Sequence, residues 1–155
     1  MPRGDARVKL QKNTQLALYS VLEFAADPMR HIAAATIAEK YGVSQHHLAK
    51  VLSELARAGV VESVRGVGGG YRFAGNLRRL TLMDIIRLFE PDGLGTEAEP
   101  TPSGNTPVDL ALDTVLSEID QFARATFSSI TLATMLRLMQ RQQKAQSPAV
   151  TAARA

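Results

Sequence analysis

The four residues Tyr41-Gly42-Val43-Ser44 constrain the fold of this chain more than any other feature of its sequence. An apolar stripe at helical spacing precedes them and predicts a helix over residues 34–41. Gly42 suits the left-handed residue just past a helix end, and Ser44 suits an N-cap because its hydroxyl accepts a hydrogen bond from an otherwise unpaired backbone N–H. The pattern therefore predicts two helices joined by a tight glycine turn, which is a helix-turn-helix.

The second helix of this pair opens at Ser44 and is predicted to reach about Ala58. Its apolar residues recur at i, i+3, i+4 and i+7 and form one stripe: Leu48, Val51, Leu52 and Leu55. The opposite face carries polar and cationic side chains, namely His46, Lys50, Ser53 and Arg57, with His47 on the flank. Such a helix buries its stripe and presents its cationic face to an anionic partner.

A small β-hairpin is predicted directly after this helix. Residues 60–65 alternate enough to form a strand, residues 66–70 contain four glycines, and Tyr71-Arg72-Phe73 is the expected returning strand. Glycine adopts positive φ angles at little cost and has no Cβ to block a close approach to a narrow groove. A hairpin in this place is a wing. The predicted fold class is therefore mainly α with a small β-hairpin wing, as a winged helix-turn-helix domain plus a long dimerisation helix.

The long helix is predicted to start at Thr106-Pro107, where Thr106 and Asp109 form a capping pattern. Some twenty residues with a broad apolar face extend roughly 30 Å. A small winged domain cannot cover such an arm, so a second copy of the chain is the expected cover; the alternative is a helix packed entirely within its own subunit. The residues assigned to dimerisation are Leu112, Val115, Leu116, Ile119, Phe122 and Ala123.

The chain is predicted to divide into five segments. Residues 1–9 form a flexible N-terminal extension, and residues 10–90 form the winged domain, which also holds helices over 13–26 and 81–89. Residues 91–107 are rich in proline and glycine and are predicted as a flexible loop. Residues 108–143 hold the dimerisation helix and a closing helix, and residues 144–155 are predicted as a disordered tail.

Composition narrows the function classes. Residues 1–90 hold 13 Lys and Arg against 8 Asp and Glu, whereas residues 91–155 hold 5 against 7, which favours an anionic partner for the front half. The absence of cysteine excludes disulfides, thiol nucleophiles and ordinary iron–sulfur ligation. No catalytic arrangement, phosphate loop or metal cluster stands out, so neither an enzyme nor a bound cofactor or metal is expected. No secretory signal or membrane span is expected, which predicts a cytoplasmic protein with no membrane partner.

Several stretches of the chain resemble the Rrf-two family of bacterial regulators, the IscR, NsrR and CymR type. They are Leu16-Ala17-Leu18, then Ile37-Ala38 with the glycine turn and Leu48, then residues 59–71, and then Thr81-Leu82 with Ile85-Ile86 and Glu90. The arginine and triple glycine of the wing, at this distance from the helix-turn-helix, are the most specific of these features. The resemblance implies a homodimer that binds an imperfect palindrome in double-stranded DNA.

The resemblance also bears on the signal. Many members of the family sense iron–sulfur clusters, nitric oxide or iron through three cysteines in the loop before the long helix. This chain has no cysteine there, and it has Gln15 where some cluster-binding members have an aspartate ligand. We therefore expect a different effector, either a small molecule held between the winged domain and the long helix or a partner protein.

DNA contact is assigned to the start of the recognition helix and to the wing. Gln45 is expected to pair with adenine and Lys50 with guanine or phosphate, whereas Arg65 and Arg72 are expected to meet phosphates or the minor groove. Tyr71 either contacts DNA or packs under the wing. The full set of DNA-binding candidates is Ser44, Gln45, His46, His47, Lys50, Arg65, Gly66, Gly68, Gly69, Tyr71 and Arg72.

The leading hypothesis from the sequence is a transcription repressor that binds a palindromic operator as a homodimer. The alternative is a DNA-binding or protein-interaction module that senses nothing and uses its wing for assembly. A discrete palindromic footprint favours the regulator, and diffuse or absent protection favours the module.

Overall fold

The computed structural model describes residues 8–94 and 104–147, and these residues form helices with one two-stranded sheet. The elements are α1 (Lys12–Ala26), α2 (Ala34–Tyr41), α3 (Gln45–Arg57), β1 (Val61–Val64), β2 (Gly70–Phe73), α4 (Leu82–Phe89), α5 (Pro107–Ser129) and α6 (Leu132–Gln146). This order confirms the mainly helical fold with a hairpin wing. None of the helices in the described part of the chain is both long and apolar enough to cross a bilayer.

Local hydrogen bonds build the helix-turn-helix as the sequence predicts. Gly42 has φ of 66° and ends α2 in the left-handed conformation, and the Val43 N–H donates to the Ala38 carbonyl at 3.0 Å. Ser44 then caps α3, since its hydroxyl accepts from the His47 N–H at 3.1 Å. The turn is therefore fixed by contacts within a few residues of the chain.

The wing is an antiparallel hairpin in which Val61 pairs with Phe73 and Val64 pairs with Gly70. The strand that the sequence predicts over 60–65 is shorter by one residue at each end. The second strand begins at Gly70, one residue earlier than predicted, because Gly70 pairs with Val64 of β1. On its other side, the Tyr71 backbone exchanges two hydrogen bonds of 2.9 Å with Ile32. Gly70 must lack a side chain, since a Cβ there would collide with the Ile32 carbonyl.

The core of the described residues lies within the winged domain. It is formed by apolar residues of α1, α3 and α4 that have almost no exposure, among them Phe24, Leu48, Leu52, Leu55, Ile85 and Ile86. Leu132 at the start of α6 is also fully buried in this core. The Leu132 N–H donates to the Leu80 carbonyl at 2.9 Å, which ties the closing helix to the segment just before α4.

The position of α6 changes the predicted grouping of the segments. The sequence places the closing helix with the dimerisation helix, but in the structure α6 packs against α1 and contributes to the core of the winged domain. It also continues to Gln146 and takes in the first residues of the predicted tail. Residues 1–7 of the predicted extension, residues 95–103 of the predicted loop and residues 148–155 of the predicted tail lie outside the described part of the chain.

Helix α5 starts where the sequence predicts, with Thr106 as N-cap and Pro107 in the first turn. The Thr106 hydroxyl accepts from the Asp109 N–H at 3.2 Å, while the Asp109 carboxylate accepts from the Thr106 N–H at 3.1 Å. Hydrogen bonds from the Thr106 side chain and backbone lower the pKa of the Asp109 carboxyl. Although α5 is 23 residues long, none of its residues is buried.

Candidate nucleic-acid interface

The outer face of α3 is open to solvent along the whole helix. The recognition-helix candidates lie at its first two turns, and all of them are exposed: Ser44, Gln45, His46, His47 and Lys50. Lys50 has no ion-pair partner among the described residues, so its charge is available to a ligand. Arg57, further along the same face, donates to the Glu54 carboxylate at 3.0 Å and is already paired. Of the Lys and Arg side chains of α3, Lys50 near its start is therefore the one without an ion-pair partner in the described residues.

Ala49 is an exposed residue of α3 that the sequence analysis did not assign to DNA contact. It lies one turn from both Gln45 and Ser53, beside the polar residues already named. An alanine methyl on a base-contacting face can pack against the methyl group of thymine. Helical spacing would have placed Ala49 on this surface, but its apolar side chain gave no charge signal.

The tip of the wing is a tight turn closed by the Gly69 N–H, which donates to the Gly66 carbonyl at 2.9 Å. Gly66 and Gly68 have φ angles of 105° and 76°, values that other residues rarely adopt. Gly69 has no space for a Cβ, because Val64 and Gly66 carbonyl oxygens occupy the position. The three glycines assigned to DNA contact therefore also have a structural reason to be glycine.

Val67 lies at the outermost point of this turn and is completely exposed. The glycine pattern of the sequence marks the residues around Val67 but gives no signal for the valine itself. Arg65, just before the turn, is exposed as well and has no ion-pair partner within the described ranges. The wing thus presents one free cation and one aliphatic side chain beyond the body of the domain.

Two wing candidates are engaged by the protein itself. The Arg72 guanidinium forms an ion pair with the Glu62 carboxylate on the paired strand, so a phosphate would compete with Glu62 for it. The Tyr71 ring lies 6.3 Å from the Phe24 ring, centroid to centroid, and packs against the core. Of the two alternatives for Tyr71, the structure supports packing under the wing.

A trench runs between the first turn of α1 and the first turns of α3, and we call it the α1–α3 trench. It consists of two depressions of about 460 and 430 Å³ that share His47 as a lining residue. Its α1 side contributes Lys12, Asn13 and Gln15, and its α3 side contributes Ser44, His46, His47, Lys50 and Glu54. The sequence analysis did not assign Lys12 or Asn13, since the contact between α1 and α3 joins residues far apart in the chain.

A partly buried hydrogen-bond network holds α1 against α2 behind this trench. The Glu23 carboxylate accepts from both Lys40 and the Tyr41 hydroxyl, and the Tyr41 ring stacks on Tyr19 at 5.0 Å. Burial raises the pKa of the Tyr41 hydroxyl, and the Glu23 carboxylate raises it further. Burial alone would raise the pKa of Glu23, but the bonds from Lys40 and Tyr41 and the charge of Lys40 outweigh it and lower that pKa. The network fixes the position of the helix-turn-helix relative to α1.

A further depression of about 540 Å³ lies where the winged domain meets α5. Its lining combines residues before α1, residues just after α4 and one face of α5, including Lys9, Asp92, Leu94, Asp113, Leu116 and Asp120. The Asp120 carboxylate accepts hydrogen bonds from the Leu94 N–H at 3.4 Å and from the Arg124 guanidinium at 2.7 Å. This is the place where the sequence analysis expects a small-molecule effector.

The described residues contain no group of three or more His, Cys, Asp or Glu side chains that could hold a metal ion. The whole sequence has no cysteine, so thiolate ligation of iron is excluded in every part of the chain. The donor set of an iron–sulfur cluster of the usual kind is therefore missing from this protein.

Comparison with known proteins identifies the family that this arrangement fits. Residues 10–138 match the model of the Rrf-two family, which is described as "Iron-dependent Transcriptional regulator". BadM of Rhodopseudomonas palustris, which bears the name of an HTH-type transcriptional regulator, is 47% identical over 137 residues, covering 88% of this chain and 86% of BadM. The family and this relative are described as transcription regulators and not as enzymes.

Solved structures agree with this match. IscR of T. potens superposes with a TM-score of 0.71 at 26% identity and covers 90% of this chain and 94% of its own. CymR, named the global cysteine regulator of B. subtilis, superposes with a TM-score of 0.67 at 24% identity and covers 85% of this chain and 98% of its own. The second likeness supports the fold alone. Because the sequence has no cysteine, the iron dependence in the description of the family cannot act here through thiolate ligands.

Proposed function

The chain belongs to the Rrf-two family of transcription regulators, and from this membership we propose that it represses transcription by binding a palindromic DNA operator as a homodimer. The observation that carries the proposal is the open surface formed by the start of α3 and the wing. Lys50 and Arg65 stand on it as free cations, and no other described element covers it. A helix that enters the major groove beside a glycine wing in the minor groove accounts for this surface.

The homodimer is supported by the apolar face of α5. The predicted dimerisation residues Leu112, Val115, Leu116, Ile119 and Phe122 are all more than half exposed, and Ala123 beside them is partly covered. Contiguous exposed apolar surface of this kind marks an interface, because water contact with it costs free energy. A second copy supplies an identical face, so two α5 helices cover each other about a two-fold axis.

Two-fold symmetry then determines the kind of operator. Each α3 contacts one half-site, and half-sites for such dimers lie about 34–36 Å apart, one turn of the duplex. If each subunit neutralises about four phosphates, the logarithm of the association constant falls with the logarithm of salt concentration at a slope near −7. In this proposal, affinity comes mainly from contacts with the phosphate backbone, and sequence preference comes from contacts of α3 with base edges.

The proposed signal is a small molecule and not an iron–sulfur cluster. The depression between the winged domain and α5 has a volume typical of small-ligand sites. Because it is lined by Leu116 and Ile119 of the dimer face as well as by Asp92 and Leu94 next to the winged domain, a ligand there would couple the two parts. A partner protein on the same surface is the other expected kind of effector. We place this regulation in the cytoplasm, where the DNA is.

Footprinting on genomic fragments tests the proposal. We expect a discrete footprint of two symmetric half-sites, and in vitro transcription from a template that contains it should fall as protein is added. Arg65→Ala should weaken binding to all sequences, whereas Lys50→Ala and His46→Ala should change the preferred sequence. Arg141→Ala, an exposed position near the end of α6, is the matched control and should bind as the parent does. Diffuse protection with no half-sites would instead favour a module that senses nothing.

A further inference from the structure

We propose that the α1–α3 trench holds one sugar-phosphate strand of the duplex, with Lys12 and His47 donating hydrogen bonds to its phosphates. This inference rests on the proposed DNA binding and extends its surface to α1. It also gives different roles to His46 and His47, both of which the sequence assigns to DNA contact.

The geometry of α3 turns His47 away from the base-contacting face. Successive residues of a helix point about 100° apart, so His46, Lys50 and Ser53 share one face while His47 points to the side. On that side lies the first turn of α1, and His47 lines both depressions of the trench together with Lys12 or Asn13. A helix seated in the major groove has a sugar-phosphate strand along each flank, so a residue on the flank meets phosphate and not a base edge.

The charges that face the trench favour a polyanion. Lys12, His47 and Lys50 line it, and Glu54 is its only carboxylate among the described lining residues. Glu54 accepts a hydrogen bond from Arg57 at 3.0 Å, so its charge is balanced within α3.

Two carboxylates on the helices that pack behind the trench are engaged by the protein itself. Glu23 is bonded to Lys40 and Tyr41, and Glu90 is fully buried and accepts from the Gln11 N–H at 3.3 Å. The donors Lys12 and His47 therefore face an entering phosphate without an unpaired acid beside them in the described residues.

The lining of the trench favours a nucleic-acid strand over an apolar small molecule. Its exposed side chains Lys12, Gln15, Ser44 and His47 are polar, whereas Leu94, Leu116 and Ile119 line the depression at α5. Both depressions border His47, and the first also borders His46, Lys50 and Ser53 on the outer face of α3. An extended ligand that already lies against α3 fills such a channel.

The first experiment measures salt dependence on the parent homodimer and on Lys12→Ala, with Lys144→Ala as the matched control from the end of α6. Because each dimer loses two phosphate contacts, the salt slope of Lys12→Ala should be shallower by about two, and its affinity for both operator and unrelated duplex should fall about tenfold. Lys144→Ala should match the parent. Lys12 is exposed, so its removal should leave the thermal unfolding midpoint unchanged.

The second experiment locates the phosphate. Single phosphates of the operator are replaced by uncharged methylphosphonates, and each substituted duplex is titrated with the parent, Lys12→Ala and His47→Ala. At one phosphate per half-site, the methylphosphonate should weaken operator binding by the parent protein. It should not weaken binding by Lys12→Ala further, because that variant already lacks the contact between Lys12 and this phosphate. At a neighbouring phosphate, the methylphosphonate should weaken binding by the parent but not by His47→Ala. The base preference of His47→Ala should equal that of the parent.

The outcomes separate this inference from the proposed function. An unchanged salt slope in Lys12→Ala, with Arg65→Ala still weakened, would overturn the trench contact and leave the regulator intact. A changed base preference in His47→Ala would likewise overturn it. Absence of any specific binding by the parent protein would remove the proposed function and the trench contact together.

Discussion

Helices α3 and α5 have the same amphipathic pattern, but the structure covers the apolar face of α3 and leaves that of α5 exposed. The apolar stripe of α3 is fully covered, with Leu48, Leu52 and Leu55 at 0% exposure, and its polar face is open. The apolar face of α5 is the open one, with Phe122 at 74% exposure and Leu116 at 61%. The α3 stripe is covered by its own chain, whereas the described residues leave most of the α5 stripe uncovered.

This contrast assigns different functions to the two helices. A buried stripe fixes the orientation of α3, so its polar face can meet DNA in one defined geometry. Under the proposed function, the exposed stripe of α5 pairs with that of a second copy and defines the distance between the two α3 helices. The comparison therefore predicts that damage to α5 acts on assembly and damage to α3 acts on folding.

The largest expected effect comes from breaking the α5 face with the double substitution Leu116→Asp and Ile119→Asp. Both side chains are more than half exposed, so the winged domain should keep its fold while the charges prevent two α5 helices from packing. A single subunit contacts only one half-site, and loss of the second contact should cost on the order of 100-fold in operator affinity. Sedimentation should report a monomer and circular dichroism an unchanged helix content.

Met29→Asp is the matched control for this pair, because Met29 is an 82% exposed apolar residue outside α5. It should remain dimeric and bind operator as the parent does. A double variant that still sediments as a dimer would show that the α5 face is covered in some other way.

The next effect in size comes from Leu52→Ala in α3. Leu52 has no exposure and packs in the core, so truncation should lower the free energy of unfolding by about 2–5 kcal/mol. Leu112→Ala on α5, at 56% exposure, removes the same atoms from an open surface. Thermal unfolding is measured at one protomer concentration for each substitution in the parent protein and again in the monomeric Leu116→Asp, Ile119→Asp background. The two backgrounds separate an effect on folding from an effect on assembly. If Leu52→Ala and Leu112→Ala lower the free energy of unfolding of the monomer by the same amount, the contrast between α3 and α5 is contradicted.

The parts of the structure that the sequence predicted are those fixed by neighbouring residues. The Ser44 cap, the Gly42 turn and the capping box of α5 each join residues at most five apart, so their chemistry is visible in a short stretch of chain. The amphipathic stripes of α3 and α5 followed from helical periodicity for the same reason.

The parts that the sequence did not predict depend on contacts between distant residues. The Arg72–Glu62 ion pair needs the register of the hairpin, and the burial of Leu132 needs α6 to fold back onto α1. The α1–α3 trench depends on the crossing of two helices whose first turns are more than thirty residues apart. Val67 was missed because a lone exposed valine has no pattern that marks it as functional.

A smaller effect is expected at the start of α3, where Ser44 both caps the helix and faces the predicted DNA surface. Ser44→Ala should cost about 1 kcal/mol in unfolding free energy, since the His47 N–H loses its acceptor. Ser44→Asp keeps an acceptor at the same place and suits the positive end of the helix, so stability should be retained. Its carboxylate would repel phosphate, and operator affinity should fall while the unfolding midpoint stays near that of the parent. Parent-like affinity in Ser44→Asp would exclude the start of α3 from the interface.

The smallest effect compares two carboxylates, Glu23 behind α3 and Asp109 at the start of α5, each of which has a lowered pKa. A lowered folded-state pKa gives stability that is fully present above the ordinary pKa of the group and is lost as pH falls through the folded value. Glu23→Gln should therefore lower the stability of the winged domain by about 0.5–1 kcal/mol at neutral pH, and the difference from the parent should shrink below pH 4.5. Asp109→Asn should fray only the first turn of α5, seen as faster amide exchange there, with no change in the winged domain. A pH-independent deficit in Glu23→Gln would mean that its contacts act through shape and not through charge.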